Sequence, residues 1–301
     1  MNEVQTTRIG LPTGVTLKVA FGGAEGAEPI IFLHGFPESH RTWRHQFHNL
    51  ARDYRVIAPD QRGFGGSDKP QEVEAYETGR MVEDLLALAD AFDIGRFTLV
   101  GHDWGGAAAW MAAIKHGDRL KRLVIVNAPH PLIFQRSLID DAAQREASEY
   151  IRAFRAPGVE TAIKAMGLER FLEKSFAPHV DLRLISPAER EAYISDWSEK
   201  GALTAMLNWY RASKIVVPAP GEKAHKPLWT HAPLPKPKMP VLVVWGLRDT
   251  ALLPIQLEGL GDQVEDLRIV VEKDAGHFIP WEKPEVVTSA IRDFIGETPL
   301  D

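Results

Sequence analysis

The stretch GHDWGG, residues 101–106, has the glycine spacing of a sharp strand-to-helix turn that lifts one side chain above a sheet. Serine is the usual residue at the apex of such a turn; here it is Asp103. The turn opens a helix, and backbone N–H groups at a helix N-terminus stabilise an anion. A carboxylate suits that position, but its chemistry differs from that of a hydroxyl. Serine attacking a saturated carbon leaves an ether, which water does not readily cleave. A carboxylate attacking the same carbon leaves an ester, whose carbonyl an activated water can attack. Asp103 therefore points to displacement at an sp³ carbon through an alkyl–enzyme ester. Epoxides and alkyl halides both offer such a carbon with a leaving group. The plain alternative, a helix-capping aspartate, accounts for neither the flanking glycines nor the groups that follow downstream.

Hydrolysis of the ester needs a base. His277, in KDAGHFIPWEKP, follows the last expected strand, and Asp249, in WGLRDTALLP, follows the strand before it. The chain order Asp103, Asp249, His277 is the nucleophile–acid–histidine order of folds built around such a turn. His277 would deprotonate water, while Asp249 would orient the ring and stabilise the imidazolium. Asp262 and Asp274 compete with Asp249 for the role. Two backbone amides would hold the oxyanion, that of Trp104 and that of Phe36 in the loop after IIFLHGFPES. His34 reads as a structural hydrogen-bonding residue beside the pocket rather than a second base.

The elements that must position these groups are legible as periodicity. Apolar, β-branched runs at 15–21, 29–35, 54–60, 96–102, 122–129, 240–246 and 267–273 read as strands, several of them buried on both faces. Helical patterns lie between them, at 77–94 with Met81, Leu85, Leu88, Ala89 and Phe92 on one face, at 104–117 and at 283–297. Alternating strands and helices predict an α/β fold with a mostly parallel central sheet flanked by helices. The alternation stops between Pro131 and Pro233, where SEYIRAF, GVETAIKAMGLERFLEKSF and SPAEREAYISDWSEKG read as helices, the last with Ser186 and Glu189 as a capping box. Residues 131–233 are thus expected as an inserted helical cap, and 1–130 and 234–301 as the two parts of the core.

Bulk properties exclude little and fit this picture. The 301 residues carry 35 basic and 41 acidic side chains, a net charge of −6, with no basic block to suggest nucleic acid or a membrane surface. No cysteine is present, so thiolate and disulfide chemistry are out, and a cytoplasmic setting is compatible. The N-terminus MNEVQTTRIGLP has no apolar leader core, and no apolar run is long enough to span a bilayer. The glycine-rich GFGGS at 63–67 follows no phosphate-loop pattern and reads as a tight loop near the site.

Taken together, HGFPES (34–39), DQRGFGGSDKP (60–70), GHDWGG (101–106) and DAGHF (274–278) resemble the epoxide hydrolase branch of the α/β-hydrolase superfamily, along nearly the whole chain. Haloalkane dehalogenases share much of this set, and the insertion separates the two. The resemblance implies two cap tyrosines that hydrogen-bond and protonate the epoxide oxygen, mapping to Tyr150 in EYIRAFRAPGV and Tyr210 in LNWYR. The physical logic agrees: an alkoxide is a poor leaving group and needs a proton donor, which a phenol supplies, whereas a halide needs none. Phe36 stands where many dehalogenases place a halide-binding asparagine, and Trp104 where haloacetate dehalogenases carry arginine. The Trp104 indole then reads as pocket wall, with Pro37, Trp209 and His34 also lining the substrate pocket. The expectation is a cofactor-independent, metal-free epoxide hydrolase acting on a small molecule as a monomer or homodimer. A haloalkane dehalogenase and a non-catalytic small-molecule receptor on the same fold are the alternatives.

Overall fold

A computed structural model of the chain describes residues 4–298. The first three and last three residues lie outside the described residues, and with them the start of the expected leaderless N-terminus and the outer ends of the two core segments. Eight strands form one sheet: β1 (Gln5–Gly10), β2 (Thr16–Gly22), β3 (Pro29–Leu33), β4 (Arg55–Pro59), β5 (Phe97–His102), β6 (Leu120–Val126), β7 (Val241–Gly246) and β8 (Leu267–Glu272). Their order across the sheet is β1-β2-β4-β3-β5-β6-β7-β8, with β1 and β2 antiparallel to their neighbours and every later pair parallel.

Seven of these strands match the apolar runs, and for the inner strands β3 to β7 the reason lies in the parallel sheet. Both faces are covered, so successive residues bury to opposite sides and the run reads as continuously apolar. Ile30 and Phe32 join Val100, Val124 and Val244 under the helices Arg44–Leu50 and Pro284–Glu297. Ile31 and Leu33 join Leu99, Leu123 and Val243 on the other face, against the helices Thr78–Ala91 and Asp103–Lys115. The eighth strand, β1, escaped the sequence reading because QTTRIG is exposed along nearly its whole length and pairs only with β2 at the sheet's edge.

Between β6 and β7 the chain makes a helical excursion with no strand among the described residues. Its α-helices run from Pro131–Asp140 to Ala202–Ala212. The expected 158–176 helix is two, Val159–Met166 and Leu168–Phe176, broken at Gly167. The capping box at Ser186 and Glu189 forms as read. Since β6 and β7 are parallel, the chain leaves at the sheet's C-terminal edge and must return to its N-terminal edge. The proline- and lysine-rich segment 213–240 makes that descent. No described helix is long and apolar enough to cross a membrane.

Candidate active site

β5 ends at His102 and the helix Asp103–Lys115 begins at once, which leaves no room for a relaxed turn. Asp103 takes φ +49°, in the left-handed region that L-residues rarely enter. The turn closes only because its neighbours lack side chains. A Cβ on Gly105 would stand 2.3 Å from the Leu33 carbonyl oxygen, and one on Gly35 would stand 2.4 Å from Asp103 Cβ. The nucleophile candidate thus sits directly against the loop after β3. There the Phe36 N–H donates to Asp103 Oδ1 at 2.8 Å.

The loops after β7 and β8 bring the other two groups. His277 Nδ1 lies 2.7 Å from Asp249 Oδ2, and His277 Nε2 lies 3.6 Å from Asp103 Oδ2. Asp249 is fixed from every side: Oδ1 accepts from the Ala251 and Leu252 amides, both at 2.8 Å, and Oδ2 accepts from Asn127 Nδ2 at 2.7 Å. The competing acids are elsewhere, Asp274 paired with Arg248 on the surface and Asp262 exposed on a short helix. Burial would raise the pKa of both site carboxyls, but the facing His277 and the donors around them hold both below the usual range. Burial would depress His277, yet the Asp249 charge, followed by contacts with Asp103, lifts it well above the ordinary imidazole value. These shifts favour an imidazolium facing two carboxylates.

The roof comes from the cap. Tyr150, on the helix Glu149–Arg155, and Tyr210, on Ala202–Ala212, meet edge to face with centroids 6.0 Å apart. Tyr210 also packs edge to face on Phe36 at 5.0 Å and on Trp104 at 5.1 Å. Burial, followed by nearby charge, pushes both phenols well above their usual pKa, so both keep their protons. Arg155 fastens the two helices: Nε donates to the Tyr210 carbonyl at 2.8 Å, Nη1 to Ile215 at 2.8 Å and Nη2 to Ser213 at 3.2 Å. Asp103, His277, Tyr150, Tyr210, Phe36 and Pro37 all line one cavity of about 200 Å³.

Three expected lining groups are not among those that line the cavity: His34, Trp209 and the Trp104 indole, which packs on Trp209 and Tyr210. His34 is fully buried, its Nδ1–H given to the Gly35 carbonyl and its Nε2 accepting from the Gln61 amide, so it braces two loops. Desolvation lowers its pKa, consistent with a neutral ring. Trp209 stands behind Tyr210 and donates to the Arg62 carbonyl at 3.0 Å, tying the cap to the 60–70 loop. That loop is a knot around Asp60, which accepts from His40 and from the Gly66 amide. Three features were missed from sequence. Asn127, at φ +38°, holds Asp249. Glu38 faces His102 Nδ1 at 2.8 Å while His102 Nε2 donates to the His277 carbonyl at 2.8 Å. His179 lines the cavity beside His277. Only Glu38 carried a signal, as the acidic end of HGFPE.

Eight strands in this order, an aspartate at the elbow and a histidine–aspartate pair on the last two strand ends define a class. The chain belongs to the α/β-hydrolase family, whose profile, described as alpha/beta hydrolase fold, matches residues 28–284. The AB hydrolase superfamily protein YfhM of Bacillus subtilis is 32% identical over 283 residues, covering 94% of this chain and 95% of that protein. Epoxide hydrolase A of Mycobacterium tuberculosis is 31% identical over 322 residues, covering 96% of this chain and 97% of its own. A solved structure from work on novel epoxide hydrolases in metagenomes from hot environments superposes with a TM-score of 0.88 at 45% identity, covering 97% of this chain and 99% of that one. Within the family, the chain stands with the epoxide hydrolases.

Proposed function

We propose that this chain hydrolyses epoxides to vicinal diols through an alkyl ester on Asp103. The observation that carries the reading is the pairing of two protonated phenols, Tyr150 and Tyr210, with the Asp103 carboxylate across a single cavity. An oxygen leaving group needs donors there and a halide does not. The names of the relatives above point the same way. The cap (131–233) supplies the donors, and the core (1–130 and 234–301) supplies the nucleophile, the acid–histidine pair and the oxyanion amides.

In this reading the two oxygens of Asp103 have different roles. Oδ1 is held by the Phe36 amide, so Oδ2 is the attacking atom. As the Oδ2–carbon bond forms, the ring C–O bond breaks and its electron pair moves to the epoxide oxygen, which takes a phenol proton. That proton is replaced, by way of water, from the His277 imidazolium. Esterification removes one of the two negative charges that raise the His277 pKa, so the same step that makes the ester frees its base. Neutral His277 then deprotonates a water that attacks the Asp103 carbonyl carbon. Oδ1 becomes the oxyanion, facing the Phe36 and Trp104 amides. Collapse releases the diol, and the imidazolium and carboxylate are restored.

Single-turnover hydrolysis of styrene oxide in heavy-oxygen water tests the ester. The label should appear in the Asp103 carboxyl by peptide mass spectrometry and be absent from the first-turnover diol. Label in that diol would overturn the covalent route. Turnover of a bromoalkane with none of any epoxide would revive the dehalogenase reading.

A further inference from the structure

The cavity has two unlike walls. On the side of the cap phenols it is aromatic, with Phe36, Phe154, Tyr150 and Tyr210. On the side of the triad histidine a polar strip runs toward the mouth: His179, Thr250, Ser175 and, at the exposed rim, Lys174. Nothing in the proposed reaction uses this strip. His179 follows the cap helix Leu168–Phe176 and is anchored by its own amide, which donates to the Phe176 carbonyl at 2.9 Å. Its ring lies 5.6 Å from that of His277 and 5.8 Å from that of Phe278. Its Nδ1 is 3.1 Å from Thr250 Oγ1.

Burial, and then the charge on His277, lower the His179 pKa to about 4, so the ring carries one proton at neutral pH. A threonine hydroxyl can donate to Nδ1, and the proton then sits on Nε2. In that tautomer the Nε2 edge of His179 is a hydrogen-bond donor. An epoxide placed between Asp103 and the phenols must direct its substituent along one of the two walls.

We propose that the polar strip is a subsite for an oxygen on the substrate's substituent, with His179 Nε2–H as the donor that reads it, so that ether-, hydroxyl- or carbonyl-bearing epoxides are preferred over plain alkyl epoxides. The proposal rests on the epoxide reading. In it, His179 is a specificity-determining residue and Thr250 fixes its tautomer. The cap contributes to the site a second time, beside the triad histidine.

Ethyl glycidyl ether and 1,2-epoxyhexane test this, since they differ by one oxygen in place of one methylene. The readout is the ratio of kcat/KM for the ether to that for the alkane, which cancels any loss common to both. His179→Leu should lower the ratio about 3- to 15-fold, the range of one neutral hydrogen bond at a partly exposed site. His179→Gln, which keeps an N–H donor, should restore at least half of that loss. Thr250→Val should lower the ratio about 2- to 5-fold, and it keeps the test valid if the leucine variant melts too low to assay. An unchanged ratio in His179→Leu, or equal ratios in the leucine and glutamine variants, would overturn the subsite. Failure of the wild-type protein to hydrolyse either compound would instead overturn the epoxide reading beneath it.

Discussion

The floor of the cavity and its roof hold their functional atoms by different means. On the floor, Asp249 takes two backbone amides and one side-chain amide, Asp103 takes one backbone amide, and His277 bonds Asp249 while its carbonyl is held by His102. In the roof, Tyr150 and Tyr210 are set mainly by ring packing against each other, Phe36, Phe154 and Trp104, with a Trp104 side-chain hydrogen bond added at Tyr210. Hydrogen bonds to backbone fix an atom within a few tenths of an ångström, whereas aromatic packing fixes a surface and lets it slide. In the proposed reaction the floor makes the bond to carbon and the roof donates the proton.

The largest expected effect falls on the floor. His277→Gln should leave alkylation of Asp103 possible and slow release of the ester about 10²- to 10⁴-fold, as loss of a general base does. Intact-protein mass spectrometry should show an adduct heavier by the substrate mass. Normal turnover would remove the floor's claim to the second step. The same variant sharpens a pH comparison. The His277 proton is bound more tightly in the fold than in the unfolded chain. Its stabilisation is therefore complete below about pH 6.5 and is lost as pH rises through the raised folded value. For Asp103 and Asp249 the folded pKa is lowered, so their contributions hold above about pH 3.9 and fade as pH falls through the lowered values. The alkaline decline in melting temperature should accordingly flatten in His277→Gln.

The next effect falls on the roof. Tyr210→Phe should slow alkylation by epoxides about 10- to 1000-fold, by analogy with loss of one oxyanion donor, and the double Tyr150→Phe, Tyr210→Phe variant more. Release of a preformed ester should change far less, and any alkylation by bromoalkanes should survive better. Equal losses in both steps or on both leaving groups would erase the distinction between roof and floor. The smallest effect should come from Arg155→Met. It strips donors from three carbonyls at the end of the Tyr210 helix and should cost about 1–3 kcal/mol in chemical denaturation. Alkylation should slow several-fold while ester release holds.

The same division explains what the sequence disclosed. The floor is made of turns, and turns have local rules: the glycines around Asp103 and the strand ends before Asp249 and His277 are visible within a dozen residues. The inner parallel strands were visible because burial on both faces writes unbroken apolar runs, while β1, exposed and at the edge, wrote none. Contacts that join distant segments left no local trace. Asn127 reaches Asp249 across 122 positions, and Arg155 reaches Tyr210 across 55. His34 and Trp209 were expected on the wall because their motifs border it, but both ended in the layer behind, where backbone groups of the 60–70 loop take their polar atoms. The tyrosines were reached through family resemblance, since their meeting in space depends on how the cap helices pack.

The left-handed backbone at Asp103 has a consequence for anyone who would redesign this chain. A strained non-glycine residue of this kind costs roughly 1–3 kcal/mol, and glycine would occupy the position freely. On the proposed mechanism, folding and reactivity therefore ask for different residues at position 103. An optimisation that scored stability alone would erase the aspartate early and return a sturdier scaffold with no reaction left in it.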